Sequence, residues 1–537
     1  MTPAPDSTPA WLQHPATLLY LLLAGATPIV FIPVPLIDLP TITSEIVLVK
    51  DVFIRFVGGL ILLLGAMAVL IRGLAPLMQR PLISLAVIVY FVGAVISAAL
   101  SGNMLFSLRY FWSEAMLLGA LLVVPYFFHS QAQIRWGLYA ALFSCFACAL
   151  YSWVVYFTNG EALTLVYGAN IRELLLGGGV AGAVIEGGTR GIYVSTLGNP
   201  EFTGTFLAVG IILSLVMLWN GWGTSHWTQQ RWLSLPLGFG ALVVIAFAVL
   251  LTQTRGSFLV VLLAGVVGYF SVFRLSAKLL AFLAVLLGLL FLAFGPLGVL
   301  GWGVLALLFP LGVAGANGTI RSVFQRLSQL QKSLLLLGLF ASGVLVISAV
   351  TIPQLKTRLA PLVERFASAT DVNDRSVRER LMFYTLAAEM TMQSPLFGVG
   401  PGMYPANFHT ALVNLVEEDA SGVMATNQLL LKNFVAFETH NDYFQILSEQ
   451  GLWGILLFLL LIAGLLQPVW HAVRLAEGPT QHLALALLLS ILGYLVMMLT
   501  SFPLQEPARS GHFFALLMFA YAFSLVNREP LETPSSP

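Results

Sequence analysis

Charged residues are scarce in this chain. Asp, Glu, Lys and Arg make up 9% of its 537 residues, against about a quarter in soluble domains. That scarcity excludes a water-soluble enzyme. A basic surplus is missing as well: 25 Lys and Arg face 24 Asp and Glu, whereas a nucleic-acid-binding surface needs clustered positive charge. Nucleic acid is therefore excluded as a partner. Cysteine is nearly absent. Cys145 and Cys148 sit one helical turn apart in an apolar run, a poor arrangement for a disulfide and without further ligands for a metal, so they read as small buried hydrophobes. The N-terminus, MTPAPDSTPAWLQHPATLL, lacks the basic n-region of a signal peptide, so the first apolar run reads as a retained span. There is no internal repeat, and the only biased tracts are the Pro/Ser-rich tails.

What the chain has instead is apolar sequence, 58% of its residues. Runs of about 17–22 residues, enough to cross a hydrocarbon core of about 30 Å, follow one another. They begin near Thr17, Phe53, Leu82, Leu108, Trp136, Thr203, Trp232, Phe258, Leu279, Leu297, Leu334, Leu452, Leu483 and Phe513. The expectation is an all-α polytopic membrane protein with about 14 transmembrane helices, in a range of about 12–14. Residues 279–313, interrupted by Gly295-Pro296, read as two short spans, one kinked helix or a re-entrant hairpin.

Basic residues fix the expected orientation, because Lys and Arg are retained on the cytoplasmic side. Alternate connections carry Arg72 and Arg80, then Arg135, Arg231, Arg274 with Lys278, Arg321 with Arg326 and Lys332, and Arg474. Those loops should be cytoplasmic, with both termini. The chain then divides into a cytoplasmic tail at 1–16, a transmembrane bundle at 17–352 with an outer loop at 158–202, a large periplasmic loop at 353–451, C-terminal spans at 452–526 and a second tail at 527–537. Loops that long are functional or disordered. The one at 353–451 has helical periodicity at 376–392, a glycine-rich turn at 395–402 and an amphipathic stretch at 406–431 suited to lying on the membrane as a lid.

The outer face then holds Arg190, Arg255, Arg375, Arg378, Arg380, His440 and Arg509. Arg255, at a span end in LTQTRGSFL, would lie near headgroup depth, where a guanidinium either snorkels or pairs with an anion such as phosphate. In ETHNDYFQILSEQGLWG, Thr439 and Asp442 resemble a capping box, placing His440 in a first helical turn where the dipole favours neutral imidazole. Gly398, Gly400 and Gly402 read as a tight turn packed against a helix. Arg375 and Arg378 suit a solvated helix face. Few ionisable residues lie within spans, Glu114 being the main one, which weakens a transport reading.

Three segments in order, RGSFL at Arg255, R-x-x-x-aromatic from Arg380 to Tyr384 running to PLFGVGPG, and HNDYFQILSEQGLWG at His440, resemble the O-antigen ligase/polymerase family. They cover most of the second half of the chain; in the first five spans the similarity is architectural. The resemblance implies a GT-C-like membrane glycosyltransferase at the periplasmic face of the bacterial cytoplasmic membrane. Its donor would be a glycan on undecaprenyl diphosphate, its acceptor lipid A-core or a lipid-linked repeat, and its remaining partners membrane lipids. His440 matches the family's catalytic histidine and would act as general base. Arg255 and Arg380 match its arginines and would bind the diphosphate, with Arg190 a second-tier candidate for the same role. Glu438, Asn441, Asp442 and Glu449 are candidates to orient or support His440. One base opposite the leaving group implies inversion, and arginines in place of a divalent ion imply no metal and no cofactor. The alternatives are a protein O-oligosaccharyltransferase, or a transporter or scramblase for an anion or lipid-linked sugar.

Overall fold

The computed structural model describes residues 8–30, 42–158, 197, 200–223, 229–252, 254, 256–257, 259–261, 375–418, 438–476 and 478–527. No strand occurs among them. The described α-helices are α1 (Ala10–Gly25), α2 (Ile42–Arg72), α3 (Pro81–Leu100), α4 (Met104–Leu122), α5 (Gln131–Phe157), α6 (Pro200–Gly223), α7 (Gln229–Thr252), α8 (Arg375–Gln393), α9 (Tyr404–Glu418), α10 (Asp442–Leu475), α11 (Pro479–Met497) and α12 (Pro507–Val526). Helices satisfy their own backbone groups, which hydrocarbon cannot do for them. The chain divides into two compact units, Met1–Gly265 with Arg380–Pro537, and Val266–Glu379. Of the second only 375–379, the first turn of α8, are described, and apart from the exposure of Arg378 the geometry below belongs to the first.

Among the described residues, seven helices are long and apolar enough to cross a membrane: Leu48–Arg72, Pro81–Leu100, Met104–Tyr126, Gln131–Val155, Asp442–Leu475, Pro479–Met497 and Pro507–Val526. The chain is thus an integral membrane protein, all-helical in its described residues. The spans expected at Thr203 and Trp232 coincide with α6 and α7, whose apolar stretches are shorter, Glu201–Met217 and Gly240–Val249. Those expected at Leu279, Leu297 and Leu334 lie outside the described residues, and the one at Phe258 is described only through residue 261.

Three helix starts differ from expectation. α1 begins at Ala10, directly after Pro9, and not at Thr17; its 16 residues fall just below the length of about 17 that spans a bilayer. Gln13, His14 and Pro15 hid its first turns from a count of apolar residues. α2 starts at Ile42, so Lys50 and Asp51 lie on a helix and not in a loop. Asp51 pairs with Arg55 at 2.6 Å, and Arg55 Nε donates to Ser113 Oγ of α4 at 2.9 Å. α12 begins at Pro507, not Phe513, because Glu506 caps it by accepting from the Ala508 and Arg509 N–H groups. It is a full 20 residues and nearly all buried, packed against α1, α2, α4, α5, α10 and α11.

α10 begins at the motif, as expected, and runs into the span at Leu452, but it is kinked at Gly451 (φ 68°, ψ −166°), where a continuous helix was expected. The kink frees backbone groups that the glycine-rich turn takes up: Leu452 N donates to Pro395 O at 2.9 Å, Trp453 N to Leu396 O at 3.1 Å, Val399 N to Ser448 O at 2.9 Å and Gly400 N to Glu449 O at 2.8 Å. The turn packs that closely because a Cβ at Gly451 would lie 2.4 Å from Leu396 O. Gly451→Ala should therefore lower stability by about 1–3 kcal/mol. Gly478, with φ 65° and nothing within 4 Å of its Cβ position, supplies the control for positive φ alone. Thermal unfolding in detergent should show a clearly larger loss for Gly451→Ala than for Gly478→Ala; equal losses would contradict the close-approach account.

α9 covers the first part of the expected amphipathic stretch. Its apolar face, Tyr404, Phe408, Ala411 and Leu412, packs on Met382, Phe383, Leu386 and Met390 of α8. That face is covered by α8; residues 419–431, the rest of the expected amphipathic stretch, lie outside the described set.

Candidate active site

The starts of α6, α10 and α12 and the end of α11 meet at one end of the bundle, and the sequence-predicted histidine sits there. α10 is capped by Asn441, whose Oδ1 accepts from Tyr443 N at 3.0 Å and Phe444 N at 3.2 Å. The expected Thr439/Asp442 capping box does not form. Thr439 Oγ1 instead bonds locally, donating to Asn441 O at 2.6 Å and accepting from Asn441 N at 3.2 Å. His440 consequently precedes the cap and lies outside the first helical turn, so the dipole argument for its neutrality loses its premise.

His440 is the one non-glycine residue with positive φ, 58°, among the described residues. Such a backbone is disfavoured for a residue with a Cβ and persists where surrounding contacts impose it. They do so here. Asp442 N donates to Met498 O at 3.1 Å, Asn441 Nδ2 to Leu499 O at 3.1 Å, and Leu504 N to Asp442 Oδ2 at 2.9 Å. Tyr443 OH reaches Leu495 O at 2.8 Å. The imidazole lies parallel to Phe383 at 5.9 Å and meets Phe502 edge to face at 4.9 Å.

Arg380 enters from α8, one turn before Phe383, so the two residues share a helix face. Its Nη2 donates to both oxygens of Glu201, at 3.0 and 3.1 Å. Glu201 stands in the first turn of α6, where a carboxylate is favoured by the helix dipole. The aromatic of the R-x-x-x-aromatic motif, Tyr384, stacks on Phe444 of α10 at 4.8 Å. Burial pushes its phenol up, opposed by the Arg380 charge and a hydrogen bond with Asn441. The motif thus docks α8 on α10, with Tyr384 against Phe444 and Phe383 against His440.

The four residues named as supports of His440 have defined places. Asn441 caps α10 and Asp442 pins the α11–α12 connection, as above. Glu449 Oε1 accepts from Gln445 Nε2 at 2.7 Å and from Tyr404 N at 3.2 Å, tying α9 and the glycine-rich turn to α10. Glu438 is half-buried, and burial raises its carboxyl to about 7 against the opposing pull of Arg509. An acid whose folded pKa lies above its unfolded one binds more protons when folded, so it lowers stability as pH climbs from 4.5 to about 7 and adds no further loss above that. Glu438→Gln should flatten the fall in melting temperature across that window, and an unchanged slope would contradict the assignment.

Arg190 and Arg255 lie outside the described residues. The flanks of Arg255 are placed: a Cβ at Gly204 would be 2.1 Å from Thr254 Oγ1, and one at Gly256 would be 3.1 Å from both Thr205 Cγ2 and Thr500 Oγ1. That segment therefore abuts α6 one turn from Glu201 and the α11–α12 connection that carries Phe502. Arg378 is exposed on α8, as a solvated face requires, and Glu114 accepts from Tyr90 OH at 2.9 Å.

Sequence reading passed over Glu201, Phe202, Phe383 and Phe502, and gave Arg509 no role. Phe202 and Phe502 meet edge to face at 5.0 Å. Arg509 is fully buried with its guanidinium 4.0 Å from the Phe202 ring centre and 5.6 Å from that of Phe502. The signal available in sequence was a glutamate and an arginine, Glu506 and Arg509, at the cap and in the first turn of an apolar helix, where ionisable groups are costly unless used.

A polytopic helical membrane protein with a strained histidine and an arginine–carboxylate pair gathered at one end of its bundle is the class these features define. A family model described as O-antigen ligase matches residues 240–459, which include Arg380 and His440 but not Glu201 or Arg509. Over that part of its length the chain is similar to O-antigen ligases. No curated protein matches the chain.

Proposed function

We propose that this chain transfers a glycan from undecaprenyl diphosphate to an acceptor sugar hydroxyl at the periplasmic face of the bacterial cytoplasmic membrane, as an O-antigen ligase or polymerase. The observation that carries the reading is that His440 stacks on Phe383 of α8 while Arg380, one turn earlier on the same helix, is held by Glu201. His440 removes the proton of the attacking hydroxyl as its oxygen bonds to the anomeric carbon. The carbon–oxygen bond to the diphosphate breaks, and the electron pair leaves with undecaprenyl diphosphate. Arg380, together with Arg255 and Arg190, holds that diphosphate as its charge develops, through charge-assisted and bidentate hydrogen bonds. Glu201 engages Nη2 of Arg380, and a guanidinium carries five N–H donors, so the same group can be aimed by the carboxylate and still take an anion.

Attack from the side opposite the leaving group inverts the anomeric centre. The site's elements connect through loops assigned to the outer side by the placement of Lys and Arg, which supports periplasmic chemistry, cytoplasmic termini and a GT-C-like plan. The arginines supply leaving-group stabilisation that a divalent ion supplies elsewhere, so transfer should persist in EDTA. Loss in EDTA with recovery on Mg²⁺ or Mn²⁺ would contradict the arginine account. Purified protein given a defined undecaprenyl-diphosphate glycan and separate acceptors tests the whole reading. Growth on lipid A-core marks a ligase, growth on a lipid-linked repeat a polymerase, and growth on a protein an O-oligosaccharyltransferase. Donor crossing the bilayer without any new glycosidic bond marks a scramblase and overturns the proposal.

A further inference from the structure

Arg509 is a buried cation in the wrong place for helix stability. It occupies the first turn of α12, where the dipole disfavours positive charge, and none of its surface is exposed. Its compensation is incomplete. Nε faces Glu506 Oε2 at 3.4 Å and Nη1 donates to Ser501 Oγ at 2.9 Å, with Met497 Sδ at 3.7 Å, while Nη2 has no hydrogen-bond partner among the described residues. The acidic groups that act on it include Glu506, Asp442, Glu201 and Glu438. Replacing such a cation by an apolar side chain of similar volume is often neutral or stabilising for a fold, so fold stability is a poor account of its presence.

What the guanidinium does is join two rings. Phe502 is the ring set edge-on to His440 at 4.9 Å. Phe202 directly follows Glu201, the partner of Arg380. A planar cation over both faces fixes their positions in a way that lysine, a compact hydrated point charge, does not.

We propose that Arg509, held between Phe202 and Phe502, is a positioning residue that keeps the His440 imidazole and the Glu201–Arg380 pair in register with each other. The proposal rests on the reading of His440 as the base, but its primary test does not. Protein labelled at its histidines and placed in lipid nanodiscs gives a His440 resonance, identified by its loss in His440→Gln. Arg509→Met and Arg509→Lys should each shift that resonance. They should also lower kcat for transfer by about 10²-fold, the scale of a misplaced catalytic group, with KM for the donor changed less than about threefold. Phe502→Leu should reproduce both effects, and the Arg509→Met/Phe502→Leu double variant should be no worse than either single one.

A folded Arg509→Met protein with an unmoved His440 resonance overturns the proposal, as do losses that multiply in the double variant. Should Arg509→Met fail to fold, Phe502→Leu and Phe202→Leu carry the test, and an unmoved resonance in either again overturns it. Undiminished transfer by His440→Ala would instead sink the base assignment, leaving the resonance measurement to decide on positioning.

Discussion

His440→Ala is expected to lower glycan transfer by about 10²–10⁴-fold, the usual contribution of a positioned general base, while binding of the undecaprenyl-diphosphate donor survives. Alanine at this position changes two things at once, because it also occupies a backbone with φ 58°. His440→Asn separates them. Asn tolerates the left-handed region far better than most residues, so it keeps the loop while removing the base. Loss in both variants reads the chemistry, whereas loss in alanine with retention in asparagine reads the loop. The local network argues that the loop will hold: Asn441, Asp442 and Tyr443 are each bonded to the segment from Leu495 to Leu504. None of those bonds uses the His440 side chain. A defect confined to kcat, with donor affinity intact, is the signature of an interaction made in the transition state.

Arg380→Met should cost about 10²–10³-fold in transfer, the scale of losing one donor aimed at developing negative charge. Here the donor KM should rise as well, because the diphosphate is charged in the ground state and already bound by the same guanidinium. Arg380→Lys should recover only part of the loss, since a point charge cannot reproduce the planar fork. The contrast between the two residues is diagnostic: His440 variants should change kcat alone, and Arg380 variants both constants. Steady-state kinetics with a purified lipid-linked donor would show it. An Arg380→Met enzyme with unchanged KM and kcat would remove this arginine from the diphosphate site.

Much of the bundle was legible because apolar runs of spanning length leave little choice of structure. The expected starts at Leu82, Leu108, Trp136 and Leu483 all fall within the first few residues of α3, α4, α5 and α11. The starts that were missed share one cause. At Ala10, Ile42 and Pro507 a helix runs through polar sequence that a hydropathy count rejects, and the last of those turns holds Arg509. The glycine-rich turn was legible as a close approach; its partner, the kink at Gly451, was not, because helical periodicity continues across it.

His440 and Arg380 could be named from motif order. Their companions could not. Glu201 meets Arg380 across 179 positions, and Phe502 meets His440 from a connection that sequence presents only as a break between spans. Contacts of that range depend on tertiary packing, which local pattern does not encode. The capping box failed for the opposite reason. The motif was present, but Asn441 lay closer to the first free N–H groups and took them.

The central claim is that His440 acts as the base in glycan transfer from a lipid diphosphate. The direct measurement incubates wild-type and His440→Ala protein with a defined undecaprenyl-diphosphate glycan and an acceptor, following donor binding, the new glycosidic bond and released undecaprenyl diphosphate together. The account predicts transfer with stoichiometric release by the wild type, and donor binding without transfer by the variant. Equal transfer by both proteins would contradict it.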